Sequence, residues 1–161
     1  MSLRNDKTLV LTLLGVGLIC RLAYFVEYKQ LLEFLHPTVD ALFHHLTATA
    51  IASGALTSTE PFFRAPFYSY FLGLIYFFTG DSIALARLIQ LLIGAFTPVL
   101  TYLIARKAFD RTIAIVASVL VVLCSDIVYF EGELLLESLV VTLVLLAWYA
   151  YLQYRESPKW Y

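Results

Sequence analysis

The sequence predicts an all-α integral membrane fold, with four transmembrane helices and two interfacial helices in the first outer loop. The first observation is composition: 61% of the residues are hydrophobic and only 14% charged, with a mean hydropathy of +0.82. The second is segmentation, because four apolar runs approach the roughly 20 residues that a helix needs to cross about 30 Å of hydrocarbon. The third is the placement of lysine and arginine, which gather on one side of that arrangement. A net charge of -1 without a basic stretch gives nucleic acid binding no electrostatic support. Cys20 and Cys124 both lie in apolar runs and read as packing residues, not as a disulfide or a metal pair.

The first span covers residues 8–26, after a short basic lead of Arg4 and Lys7. It reads as a retained anchor, since no small-x-small cleavage pattern follows it. Arg21 interrupts it near enough to one end to snorkel to the interface. The other spans cover residues 84–105, 112–130 and 134–154, in a single membrane domain over residues 1–161.

Between the first two spans lies the longest stretch polar enough to meet water. There, Pro37 and Thr38 start a helix over residues 38–53, whose apolar positions recur at helical spacing until Gly54. Pro66 opens a second helix over residues 66–79, closed by Gly80. Its 14 residues are few for a span, and its many Phe and Tyr side chains favour the interface. Charge placement agrees. With this run in the interface, Arg4, Lys7, Arg106, Lys107, Arg111, Arg155 and Lys159 share one side, seven of the eleven basic residues. That side is then cytoplasmic, with both termini, and the loop faces outward.

Several residues here suit chemistry. Asp40 and His44, four apart, share a helix face, either as an acid complementing the helix dipole beside a solvated histidine or as a general base. Too few further ligands stand at metal spacing to make a metal site. Arg64, between Phe63 and Ala65 in an aromatic, proline-flanked stretch, needs an anionic partner, a headgroup phosphate or one specific lipid phosphate. Arg87 and Gln90 face the bundle interior, as helix–helix contacts or as substrate contacts. Glu131, Glu133 and Glu137 crowd the outer end of the last two spans, where pairing with Arg64 or Arg87 relieves the like-charge spacing of Glu133 and Glu137.

The order of these features resembles the N-terminal part of a GT-C glycosyltransferase, in the protein-mannosyltransferase-like group (glycosyltransferase family 39). The resemblance is carried by Arg21-Leu22, Pro37 to Asp40, Ala50 to Gly54, Pro61 to Tyr68, Phe71-Leu72, Gly80, Arg87 to Gln90, Gly94 and Tyr129 to Glu137. It implies a transfer of sugar from a polyprenyl-phosphate donor to a hydroxyl of a lipid, glycan or protein acceptor, on the extracytoplasmic side of a membrane, as in the bacterial inner membrane. Asp40 is the implied catalytic base, Arg64 the implied holder of the donor phosphate with Tyr68 and Arg87 beside it, and His44, Gln90, Glu133 and Glu137 are further site candidates. Where the family usually has Tyr after the Asp, this chain has Phe43-His44-His45, which leaves the role of His44 open. No cofactor, nucleotide or obligatory metal is implied; the lipid-linked sugar is a substrate. Members of the group are several times longer, so the expectation is a fragment of a longer GT-C module, and the alternative is a non-catalytic membrane subunit or an inactive truncated fragment whose charged residues only pair.

Overall fold

The computed structural model describes residues 3–55 and 64–156, with side chains from residue 6 onward. Pro61, Phe62 and Phe63 of the motif before Arg64 lie outside the described residues. Eight α-helices follow in chain order: α1 (Leu3–Tyr28), α2 (Val39–Ala52), α3 (Pro66–Thr79), α4 (Ile83–Gly94), α5 (Thr97–Ala108), α6 (Arg111–Leu123), α7 (Ser125–Gly132) and α8 (Leu136–Glu156), with a 3-10 turn at Leu32–Phe34. Among the described residues there is no strand.

Local chemistry sets these boundaries. Pro66 stands in the first turn of α3, where its missing N–H costs nothing, and Gly80 ends the helix in the left-handed conformation at φ 66°. Ser82 caps α4 by accepting from the Leu85 N–H, and Asp110 caps α6 by accepting from the Thr112 and Ile113 N–H groups. Helices α4 and α5 together make one apolar span, Ile83–Ala108, with an irregularity at residues 95–96. Pro98 contributes to it, because it cannot donate to the carbonyl one turn back.

Among the described residues three segments are long and apolar enough to cross a membrane: Asp6–Tyr28, Ile83–Ala108 and Leu136–Glu156. Helices α6 and α7 form a fourth only as a broken span, bent by 53° at Cys124. The apolar run at residues 112–130 falls on this bent pair. Neither Pro nor Gly marks the bend, so hydropathy alone does not show it. The two helices of the first loop, α2 and α3, have 14 residues each and fall short of a span.

The charged ends of the bundle show which helix ends lie together. At one end the Tyr102 hydroxyl donates to Asp6, Arg111 pairs with Asp6 at 3.4 Å, and Lys107 pairs with Glu156. This brings together the start of α1, the end of α5, the start of α6 and the end of α8. A small core of Leu13, Val99, Tyr102, Ala105 and Ala114 lies at that end. The larger core belongs to the loop end, where Ala41, Ala48, Tyr68, Leu72, Tyr76, Ala86, Leu134 and Leu139 pack together. Gly73 lets α2 and α3 approach closely: a Cβ there would stand 2.8 Å from Ile51 Cγ2 and 3.2 Å from the Ala48 carbonyl oxygen.

Between the two cores lies a fully desolvated ion pair. Arg21 of α1 donates through Nε and Nη2 to both oxygens of Glu131 of α7, at 2.7 and 2.8 Å. Both residues are buried, and Thr97 adds a long contact of 3.4 Å to the same carboxylate. Gly94 makes the room, since a Cβ there would overlap the Glu131 carboxyl. Arg21 therefore does not snorkel to the interface, because an acid 110 residues along the chain is folded back against it.

Removing one member of such a pair leaves an uncompensated buried charge, which typically costs about 3–5 kcal/mol. Glu131→Gln and Arg21→Met should each lower the melting temperature in detergent by several degrees or more. The double variant Arg21→Met/Glu131→Leu should recover most of that loss, because an apolar pair of similar volume leaves no charge unpaired.

Candidate functional site

The site starts at the first turn of α2. Thr38 is extended before the helix, and Val39 adopts φ 48°, a left-handed conformation that a β-branched side chain strongly disfavours. Strain of this kind, of order 1–3 kcal/mol, persists only where surrounding structure imposes it. Its consequence is positional: the next residue, Asp40, is set at the rim of the helix with its carboxylate toward Arg64.

Asp40 Oδ2 and Arg64 Nη1 form an ion pair, with both side chains partly exposed, at 46% and 30% respectively. The Arg64 guanidinium also lies 5.2 Å from the centre of the Phe43 ring, a cation–π distance. Ala65, held extended ahead of Pro66, ties Arg64 to the start of α3. A cleft of about 210 Å³ opens here, lined by Asp40, His44, Arg64, Ala65, Leu135, Leu136 and Glu137. Four residues singled out in the sequence, on α2, the loop and α8, thus share one small polar cavity at the loop end of the bundle.

The electrostatics follow from these contacts. The hydrogen bond from Arg64 holds the Asp40 carboxyl below the usual carboxylate range, and the same contact raises Arg64. Burial pushes His44 down, with Arg64 acting the same way, while Asp40 and Glu137 oppose it. Its Nδ1 lies 2.9 Å from Ser69 Oγ, and its ring meets Tyr68 edge-on at 4.8 Å. His45 is also lowered by burial and contacts the Tyr76 hydroxyl at 2.8 Å. The two histidines fasten α2 to α3.

Tyr68, Arg87, Gln90 and Glu133 stand beneath this cleft and do not line it. The buried Tyr68 hydroxyl donates to Gln90 Oε1 at 2.6 Å. Gln90 Nε2 donates to the Glu133 carbonyl at 2.7 Å and to Ser138 Oγ at 3.1 Å. Arg87 is wholly buried: its Nη1 donates to the Gly132 carbonyl at 2.6 Å, to Tyr28 Oη at 2.8 Å and to Glu133 Oε1 at 3.1 Å. Its guanidinium lies 4.7 Å from the Tyr28 ring and 5.4 Å from that of Phe34. The Tyr28 hydroxyl donates to Glu133 as well. Tyr68 and Arg87, expected beside Arg64 at the donor phosphate, are held inside the bundle by these partners. They position the turn at residues 133–135, which leads into Glu137.

Sequence reasoning missed several partners. Ser69 and Ser138 carry a legible signal, as hydroxyls in apolar helices. Phe34 and Tyr28 carry none, since both reach Arg87 only through the fold. Among the described residues no group of three His, Cys, Asp or Glu side chains could hold a metal ion.

The structure is thus a helical bundle with apolar spans and a charged cleft on the helical loop between its first two spans. Residues 60–161 match the family described as dolichyl-phosphate-mannose-protein mannosyltransferase, and the chain belongs to that family. It is thereby a membrane glycosyltransferase of the GT-C type. The matched region includes Arg64, Tyr68, Arg87, Gln90, Glu133 and Glu137, whereas Asp40 and His44 precede it. No curated protein and no solved structure matches the chain.

The histidines predict a pH dependence. A group whose folded-state pKa lies below its unfolded value contributes stability that is present above the unfolded value and lost as pH falls through the folded one. His44 and His45 are both shifted down from 6.5, so acidification below about that value should loosen α2 from α3. Melting temperature measured against pH should fall in this window, and His44→Gln/His45→Gln should flatten the decline.

Proposed function

We propose that this protein transfers a sugar from a polyprenyl-phosphate donor to an acceptor hydroxyl at the extracytoplasmic face of the membrane. The observation that supports it best is the meeting of Asp40 and Arg64 at one cleft with Glu137 across from them. A carboxylate and a guanidinium side by side are what such a displacement uses. The acceptor oxygen bonds to the anomeric carbon, and the bond from that carbon to the phosphate oxygen breaks. The electron pair leaves with the phosphate, where Arg64 neutralises the growing charge. The acceptor proton passes to Asp40, a carboxylate at neutral pH. Glu137 accepts hydrogen bonds from sugar or acceptor hydroxyls.

The surroundings suit a lipid-linked donor. On α3 the side chains of Phe67, Leu74, Phe77 and Phe78 are exposed, an apolar face for the acyl region at the depth where α3 starts beside Arg64. A polyprenyl tail would lie in lipid while its phosphate reaches the cleft. The excess of lysine and arginine at the opposite end of the bundle supports a cytoplasmic location for both termini and an outward site, as in a bacterial inner membrane. No cofactor enters this reaction.

In a transfer assay with a polyprenyl-phosphate sugar, Asp40→Asn should lower kcat by about 10²–10⁴, the usual contribution of a positioned base. Arg64→Ala should lower donor use by about 10²–10³, as for loss of one preorganised charge-stabilising group, with little change in acceptor KM. Both variants should insert and melt like the native protein, because the pair is partly exposed. Retained transfer in Asp40→Asn would remove Asp40 from the chemistry, and equal loss of donor and acceptor use in Arg64→Ala would reduce Arg64 to a folding role.

A further inference from the structure

We infer that the Asp40–Arg64 pair is a latch opened by the donor: the donor phosphate takes the place of Asp40 on Arg64, and only then is Asp40 free to accept the acceptor proton. The inference rests on the phosphate role proposed for Arg64 and goes beyond it, since it makes the base unavailable until the donor is bound.

Four observations lead to it. First, the two groups assigned to different substrates are paired with each other, on Asp40 Oδ2 and Arg64 Nη1. A guanidinium hydrogen bond stabilises the carboxylate and makes it a poorer proton acceptor, so the paired base is a weakened one. Secondly, the pair is partly open to water, with the Asp40 side chain nearly half exposed, so parting it requires no buried charge to be stranded. This distinguishes it from Arg21–Glu131, which is desolvated on all sides. Thirdly, Arg64 has a second anchor. The Phe43 ring keeps the guanidinium at the cleft on one side and Ala65-Pro66 fixes its backbone on the other, so the arginine can exchange acceptors without leaving the site. Fourthly, the cleft beside the pair, about 210 Å³, has room for a phosphate group with part of a sugar ring.

The charged and titratable groups lining the cleft are Asp40 and His44 from α2, Arg64 from the loop and Glu137 from α8. Among the described lining residues Arg64 is the permanent cation, so an arriving phosphate and Asp40 compete for its guanidinium. A phosphate brings more negative charge and more acceptor oxygens than a carboxylate and wins that competition when its lipid tail concentrates it at the interface. Glu137 disfavours a bare anion here, so the preferred ligand is a phosphate whose attached lipid supplies the rest of the binding. The latch also prevents Asp40 from activating water or acceptor in the absence of donor.

The test is equilibrium binding of polyprenyl phosphate to the purified protein in nanodiscs of neutral lipid, with inorganic phosphate and phosphatidylglycerol as the other two probes. Removing a competing partner of a partly exposed ion pair should tighten binding, so Asp40→Asn should bind polyprenyl phosphate about two- to fivefold more tightly than the native protein. Asp40→Glu, which restores the latch, should bind as the native protein does, and Arg64→Ala should bind at least tenfold more weakly. A second reading on the native protein uses the carboxyl ¹³C resonance of Asp40, whose titration midpoint should move to higher pH when polyprenyl phosphate saturates the site. Unchanged or weaker binding by Asp40→Asn, or a titration that does not move, overturns the latch. Inorganic phosphate or phosphatidylglycerol competing as well as polyprenyl phosphate overturns the lipid-linked ligand. Binding separates this inference from the proposed reaction: tighter binding without sugar transfer in the native protein leaves the latch standing and the reaction refuted, and transfer without tighter binding does the reverse.

Discussion

The desolvated pair between Arg21 and Glu131 is the contact on which the remaining geometry depends. It joins α1 to α7 through residues 110 positions apart in the chain, at a level where both side chains are buried. The bend at Cys124 turns α7 so that its last turn can meet Arg21, and Gly94 on α4 leaves space for the carboxylate. Once α7 is held there, its C-terminus fixes Gly132 and Glu133. The start of α8, with Glu137, is thereby fixed too. The far wall of the cleft is thus placed by an ion pair that never touches it.

The near wall depends on a second, softer set of contacts. Gln90 reaches α3 through Tyr68, the 133–135 turn through the Glu133 carbonyl and α8 through Ser138, so one amide ties three segments to α4. Tyr68 carries this frame to His44 through ring contact, and Ser69 completes it. The buried Arg21 and Glu131 are spent on each other, and Gln90 on Tyr68, Ser138 and the Glu133 carbonyl. Asp40, Arg64 and Glu137, which line the cleft with access to water, are what can meet a ligand there. The left-handed Val39 beside Asp40 fits the same division, because strain is tolerated where the surrounding contacts fix the geometry.

Much of this is legible in the sequence. The helix opened by Pro66 and closed by Gly80 spans the residues that its punctuation marks, since proline and glycine act locally. The loop helix α2 follows from helical spacing in the same way, and hydropathy marks the apolar runs. Within the cleft, Asp40, His44, Arg64 and Glu137 are recognisable because polar groups are scarce in so apolar a chain, and scarcity is a signal that needs no fold. The rest depends on tertiary partners. Arg21 reads as a snorkelling residue because it stands near one end of the first span, and its partner Glu131 is remote in sequence. The partners that bury Tyr68 and Arg87 come from helices remote in sequence. The kink at Cys124 has no Pro or Gly to announce it, and the pairing of Asp40 with Arg64 joins residues 24 positions apart across a loop.

The central claim is that Asp40 and Arg64 have different roles in one reaction and are not merely attracted to each other. The charge-exchanged variant Asp40→Arg/Arg64→Asp tests it most directly, because it keeps an ion pair at the same place while interchanging base and phosphate holder. With melting temperature as the control for folding, sugar transfer from a polyprenyl-phosphate donor should be lost while the variant remains folded. Transfer at the native rate would show that the pair serves structure alone and would contradict the account.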